Sequence, residues 1–177
     1  MDNPAFSGKE LVRALRNLER INRYLGNYAA IRRSLDNMIV TLPEGASIHI
    51  VDMGCGGGDL ICFMNNYLQQ KKIEVRFTGL EINHNTIARA NIRLCKLSNV
   101  RYIQADVLAS DFELPECDIL VASHFIYHFD DLQLFNFLLK NWGQIKRGVI
   151  FSELRRSYLS YLLFTTFGRL LFPGRVT

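Results

Sequence analysis

Residues 48–60 read IHIVDMGCGGGDL, and the parsing of this stretch decides the fold. A β-rich apolar run leads into Asp52. Gly54, Gly56, Gly57 and Gly58 follow before a helix that starts near Asp59. Glycine admits positive φ and leaves the backbone bare, so a ligand can lie against the chain there. A loop of this kind at a strand's carboxyl end is where open α/β sheets bind ligands. The dinucleotide fingerprint G-x-G-x-x-G, counted from Gly54, needs Gly or Ala at position 59, where Asp59 stands. A carboxylate at a helix N-terminus takes the place a pyrophosphate would use and repels it, which disfavours an NAD-dependent oxidoreductase. No Gly-Lys-Ser/Thr closes the loop as a Walker A motif requires. A cationic, phosphate-free cofactor suits it better.

Outward from this loop, short β-rich runs recur at residues 48–53, 75–80, 100–104, 119–122 and 149–152. Helix-like segments at 60–70, 85–97 and 132–145 separate them. Strands alternating with helices predict right-handed βαβ units and a parallel sheet covered on both faces. Upstream, Leu11, Leu15, Leu18, Ile21 and Leu25 recur at three- and four-residue steps, an amphipathic helix that ends near Gly26. A second helix spans residues 28–41 and stops at Pro43-Glu44-Gly45. The expected organisation is a helical cap over residues 1–45 and an α/β domain over 46–177. That domain is a three-layer αβα sandwich with a doubly wound, mostly parallel sheet.

The segment VDMGCGGGD resembles motif I of the class I (Rossmann-like) S-adenosylmethionine-dependent methyltransferases, an acidic residue followed by G-x-G-x-G. The resemblance continues in order over residues 48–153. TGLE ends the second strand on Glu81, the position at which these enzymes bind both ribose hydroxyls. QADV places Asp106 where an acidic residue sits beside the adenine amino group. DILVASHFIYHF looks like the fourth strand and the loop facing methyl donor and acceptor. The resemblance thus implies S-adenosylmethionine as cofactor, S-adenosylhomocysteine as product, and a site at Asp52, Gly54, Cys55, Gly56, Gly58, Asp59, Glu81, Ile82, Asp106, Val107 and Ser123. Ile82 and Val107 would sandwich the adenine. Carboxylates at 52, 59, 81 and 106 make the mouth negative, which favours a sulfonium and an α-ammonium.

The segment after the fourth strand bears on the acceptor. Enzymes acting on adenine or glutamine nitrogens carry an Asn/Asp-Pro-Pro-Tyr/Phe box there, whereas this chain has Ser123-His124-Phe125-Ile126. The Pro-Cys nucleophile of cytosine C5 enzymes is also absent. What remains resembles small-molecule O- or C-methyltransferases of the ubiquinone/menaquinone-biosynthesis type, implying a small aromatic or lipidic acceptor. Histidine side chains ordinarily titrate near neutrality, so His124 and His128 are the candidate general bases. Tyr24, Tyr28, Tyr127 and Arg155 are the candidate acceptor contacts, with Arg156 beside the last. The alternatives are a cofactor-binding module with little activity, or an RNA or protein methyltransferase.

The composition, 49% hydrophobic and 21% charged in 177 residues, is that of a globular domain. The net charge of +4 is spread out, without the concentrated stripe of a nucleic-acid binder, apart from an excess in the first helix (Lys9, Arg13, Arg16, Arg20, Arg23). Cys55, Cys62, Cys95 and Cys117 form no C-x-x-C pair and no metal spacing, which predicts free thiols and no structural zinc. With no signal-peptide pattern at the start, the expected location is the cytoplasm. Residues 158–172, YLSYLLFTTFGRLLF, are shorter than the roughly 20 needed for a membrane span and contain Arg169. They are expected as a core helix, with an interface or membrane-surface helix as the other reading. The family's fold ends in an antiparallel strand pair for which this sequence has no room. That predicts a bare sheet edge and, with it, a homodimer, strand or helix exchange, or an exposed patch prone to aggregation.

Overall fold

The computed structural model describes residues 7–153. Two helices, α1 (Gly8–Tyr24) and α2 (Asn27–Ile39), precede β1 (Ser47–Met53), α3 (Asp59–Gln70), β2 (Glu74–Glu81), α4 (His84–Arg93) and β3 (Val100–Gln104). There follow β4 (Cys117–Ser123), a 3-10 turn (Ile126–His128), α5 (Asp131–Asn141), a second 3-10 turn (Trp142–Gln144) and β5 (Ile145–Ser152). The strands form one parallel sheet in the order β3-β2-β1-β4-β5. This is the Rossmann-like α/β fold. The order reverses between β1 and β4, which opens a crevice beyond their carboxyl ends.

Strand side chains alternate across the sheet, and here both faces are apolar. Ile48 and Ile50 of β1 join Ile119 and Val121 of β4 in one cluster with Ile31 and Leu35 of α2 and Ile61, Met64 and Leu68 of α3. Val51 and Met53 face the other way, with Leu80, Leu120 and Phe137 of α5. Strands buried on both sides read as mostly apolar runs, which is why β1 and β4, the latter with ILVA at 119–122, stood out in the sequence. α2 belongs to the first cluster, so the second N-terminal helix contributes to the core of the sheet domain.

Two helix ends differ most from expectation. The helix expected over 132–145 stops at Asn141, whose side chain turns back on Phe137 O and accepts the Leu114 N–H. Gly143 interrupts the helix, and Ile145 opens β5 opposite Cys117. The helix expected to reach Leu97 ends at Arg93, with short turns after it. On α5, a capping box at Asp130 and Gln133 fixes the start. Lys140 closes one flank by donating to Ser110 O and Phe112 O at 3.0 and 2.7 Å. Leu132, Phe135, Leu139 and Trp142 remain exposed on the other. No described helix is long and apolar enough to cross a membrane. Arg155, Arg156 and the apolar stretch 158–172 lie outside the described residues, as does any strand pair beyond β5.

Candidate cofactor cleft

The crevice holds a cavity of about 230 Å³ floored by the glycine loop. The loop is anchored by two amides, Gly54 N–H and Cys55 N–H, which both donate to Leu80 O at 2.9 and 3.0 Å. Gly54 has φ +72, and a Cβ built on it would lie 2.1 Å from Cδ2 of Phe125, so the ring seats on bare backbone. Gly56 donates its N–H to Glu81 Oε2 at 3.1 Å, and Asn83 N–H donates to Oε1 at 3.0 Å. The Glu81 carboxylate is thereby fixed at the lip of the loop.

Asp52 sits beneath, 1% exposed, with Oδ2 lacking a hydrogen-bond partner among the described residues. Burial, with Asp59 and Glu81 nearby, holds its carboxyl well above the usual carboxylate range. Burial likewise pushes the Cys55 thiol up. Asp106 is exposed at the β3 end, where Oδ1 accepts from Leu108 N–H at 2.9 Å. Val107 is buried and Ile82 half-buried, and both line the cleft. The lining thus includes the carboxyl groups of Asp52, Asp59, Glu81 and Asp106 and, among the described residues, no Lys or Arg.

Gly58 is set apart from the other site glycines. It is buried behind the loop at φ +74, where a Cβ would meet Leu94 Cδ1 at 2.9 Å and the Tyr102 hydroxyl at 3.1 Å. It lets α3 pack closely on α4 and β3, and it does not line the cavity.

The N-terminal helices complete the wall through a buried polar network that the sequence reading missed. Leu15, Leu18 and Asn22 of α1 face the cavity. Asn22 donates to Asp59 Oδ2 at 2.8 Å and accepts from Asn27 Nδ2 at 2.8 Å. Asn27 also donates to Ser123 Oγ at 2.8 Å and accepts from the Ser152 hydroxyl. Tyr28 donates to Asp59 Oδ2 at 2.9 Å and stacks on Phe63 with centroids 4.3 Å apart. Burial and that carboxylate raise its pKa. Tyr28 therefore braces Asp59, and neither it nor the exposed Tyr24 lines the cavity. One signal was available for Asn22: it falls seven residues after Leu15, on the apolar stripe of α1.

His124 and His128 both line the cleft, as do Ser123 and Tyr127. Tyr127 is exposed at the mouth and lies against His128, which packs on Phe125. His124 has φ +51, uncommon for a residue with a Cβ. Burial depresses its pKa, against the opposing pull of Glu153 and Asp59.

This arrangement can be set beside known proteins. A comparison with curated proteins finds no match. Among solved structures, a Methanococcus maripaludis protein provisionally assigned as an S-adenosyl-L-methionine-dependent methyltransferase superposes with TM-score 0.61 at 15% identity, over 94% of this chain and 77% of its own. The plantazolicin methyltransferase BpumL, solved with S-adenosylhomocysteine, gives 0.60 at 17%, over 83% of this chain and 55% of its own. The methylating domain of the citrinin polyketide synthase gives 0.53 at 18%, over 62% of this chain and 30% of its own. At such identities the likeness is one of fold, and the last two proteins extend well beyond what this chain spans. A family model described as the methyltransferase domain matches residues 50–146. Because that match takes in more than half of the sequence, from within β1 to the start of β5, the chain belongs to the methyltransferase-domain family.

Proposed function

We propose that the cleft binds S-adenosylmethionine and that the chain transfers its methyl group to a small aromatic or lipidic acceptor. The observation that carries this reading is the lining of four carboxyl groups around a glycine loop, with no Lys or Arg among the described residues. Such a site repels phosphate and attracts the α-ammonium and sulfonium of this cofactor. The loop's backbone and one buried polar atom also suit it. Gly54 and Gly56 take left-handed backbone, and the orphaned Asp52 Oδ2 is a buried acceptor in want of a donor.

Glu81 would receive the ribose hydroxyls, a charge-assisted pairing. Ile82 and Val107 would flank the adenine, Asp106 its amino group, and Asp52, Asp59, Gly54, Cys55, Gly56 and Ser123 the amino-acid end. Bound there, the cofactor supplies an electrophilic methyl carbon on a sulfonium. The chain's own part is alignment, exclusion of water and removal of a proton from the acceptor. Phe125, Tyr127, Leu108 and Leu18 also line the cleft, and this apolar surface supports an aromatic or lipidic molecule.

Calorimetric titration with S-adenosylmethionine and S-adenosylhomocysteine, with NAD as control, tests the reading. Micromolar binding is expected for both methionine compounds and none for NAD. Glu81→Ala should weaken binding at least tenfold, since a hydrogen bond to a charged group is worth about 1.5–3 kcal/mol. Binding without turnover on any acceptor would favour a cofactor-binding module. No binding by folded protein would refute the proposal.

A further inference from the structure

β4 and β5 run parallel in register, with Ser123 opposite Ser152, so His124 and Glu153 leave the sheet side by side. The backbone N–H of His124 donates to Ser152 O at 2.8 Å. Glu153 Oε1 accepts the backbone N–H groups of Phe125 at 2.8 Å and Ile126 at 2.9 Å. With that oxygen committed, Oε2 lies 3.9 Å from His124 Nδ1. The other ring nitrogen, Nε2, is buried and has no hydrogen-bond partner among the described residues. Leaving such an atom unpaired is costly, a cost that a bound molecule bringing a donor would remove.

Among the described residues, the charged groups acting on the ring are Glu153, after β5, and Asp59, on α3. Both favour the protonated ring, while burial opposes it. A proton on Nδ1, turned to the carboxylate, leaves the lone pair on Nε2. Charge that develops on the ring when Nε2 takes a second proton is then balanced by Glu153.

We propose that Glu153 is the positioning residue of a His124 proton-accepting pair, and that the acceptor is therefore a hydroxyl compound. This rests on the methyl-transfer reading above. The acceptor oxygen bonds the methyl carbon as the carbon–sulfur bond breaks, and the electron pair stays on sulfur as a neutral thioether. The hydroxyl proton passes to His124 Nε2, giving an imidazolium opposite the Glu153 carboxylate. The ring returns that proton to water after product leaves.

Glu153→Gln separates this role from a structural one. Glutamine keeps a carbonyl oxygen for the two backbone N–H groups and replaces only the oxygen facing the ring. The His124 ring is titrated by NMR in the wild type and in this variant. Methyl transfer from labelled S-adenosylmethionine to a panel of phenols and catechols is followed against pH. The variant should keep the amide shifts of Phe125 and Ile126 and its cofactor affinity. Its His124 pKa should fall, the acid limb of its rate profile should move to lower pH, and kcat should drop roughly tenfold with little change in KM. His124→Asn, which tolerates the left-handed backbone, should lose about 10²-fold in kcat. An unmoved His124 titration in Glu153→Gln, an unmoved acid limb, or full turnover by His124→Asn overturns the pair. A wild type that binds cofactor and methylates no member of the panel overturns the hydroxyl acceptor. Failure of the underlying reading looks different: the wild type then binds no cofactor by calorimetry.

Discussion

Substituting Gly54 by alanine sets a single methyl group against the ring of Phe125. The added Cβ would stand 2.1, 2.7 and 2.8 Å from Cδ2, Cγ and Cε2 of that ring, so the ring must leave its seat. It is held there by His128 and Phe129, at centroid distances of 5.2 and 6.1 Å. Overpacking of this kind costs about 1–3 kcal/mol. The backbone adds a second cost, because φ is +72 and a residue with a Cβ gives up about 1–2 kcal/mol in the left-handed region. Together they predict a loss of roughly 2–5 kcal/mol, a fall in Tm of roughly 4–20 °C for a domain of this size. Thermal and urea unfolding of Gly54→Ala, Phe125→Ala and the double variant resolve the two parts. With the ring gone, only the backbone cost of about 1–2 kcal/mol should remain, leaving a coupling of about 1–3 kcal/mol. If Gly54→Ala costs the same with and without the Phe125 ring, the ring does not rest on the loop and the reasoning fails.

Asn27→Ala should cost about 2–4 kcal/mol, because it strips partners from Asn22, Ser123 and Ser152 at once. The urea midpoint reports it, and a loss below about 0.5 kcal/mol, the level of an ordinary surface change, would contradict the network. Asp52→Asn should stabilise the ligand-free protein at neutral pH. The buried carboxyl has its folded pKa raised, so its contribution favours the fold below the unfolded value of about 3.9 and is lost as pH rises toward the folded one. The Tm advantage of the variant should therefore grow from pH 4 upward, and a flat difference would sink the idea. His49 titrates in the opposite sense. Its depressed pKa, caused mainly by burial, gives stability that is present above about 6.5 and lost as pH falls. Replacing His49 by Gln should flatten that part of the stability profile, while an unchanged profile would argue against the burial effect.

The sheet was legible because its strands are buried on both faces, so 119–122 reads as an unbroken apolar run and 48–53 as one broken only by His49 and Asp52. The glycine loop was legible because left-handed backbone leaves few choices of residue. Glu81 and Asp106 could be placed by their position at strand ends. Phe125 on Gly54, the Asn22–Asn27–Ser123–Ser152 network and Glu153 beside His124 carried almost no local signal. Each joins segments far apart in the chain, Asn27 and Ser152 being 125 positions apart, and single polar residues show no periodicity. The end of α5 was misread because Leu138, Leu139, Trp142 and Ile145 continue a helical spacing. Only the pairing of Ile145 with Cys117 turns that residue into a strand.

The neighbourhood of β1 and β4 at the middle of the sheet has a consequence for how the chain comes together. His49 and Asp118, joined across the two strands, are 69 positions apart. The first three strands follow one another through short helical crossovers and can pair as they leave the ribosome. β4 must close a long loop, and such closures are slow. The floor of the cleft, Asp52 and Gly54, belongs to the early part, while its wall from Ser123 to Phe125 arrives with β4. No half-assembled chain contains the cleft. A bound cofactor therefore holds only the finished fold, stabilising it by mass action and slowing its unfolding while leaving the rate of folding unchanged.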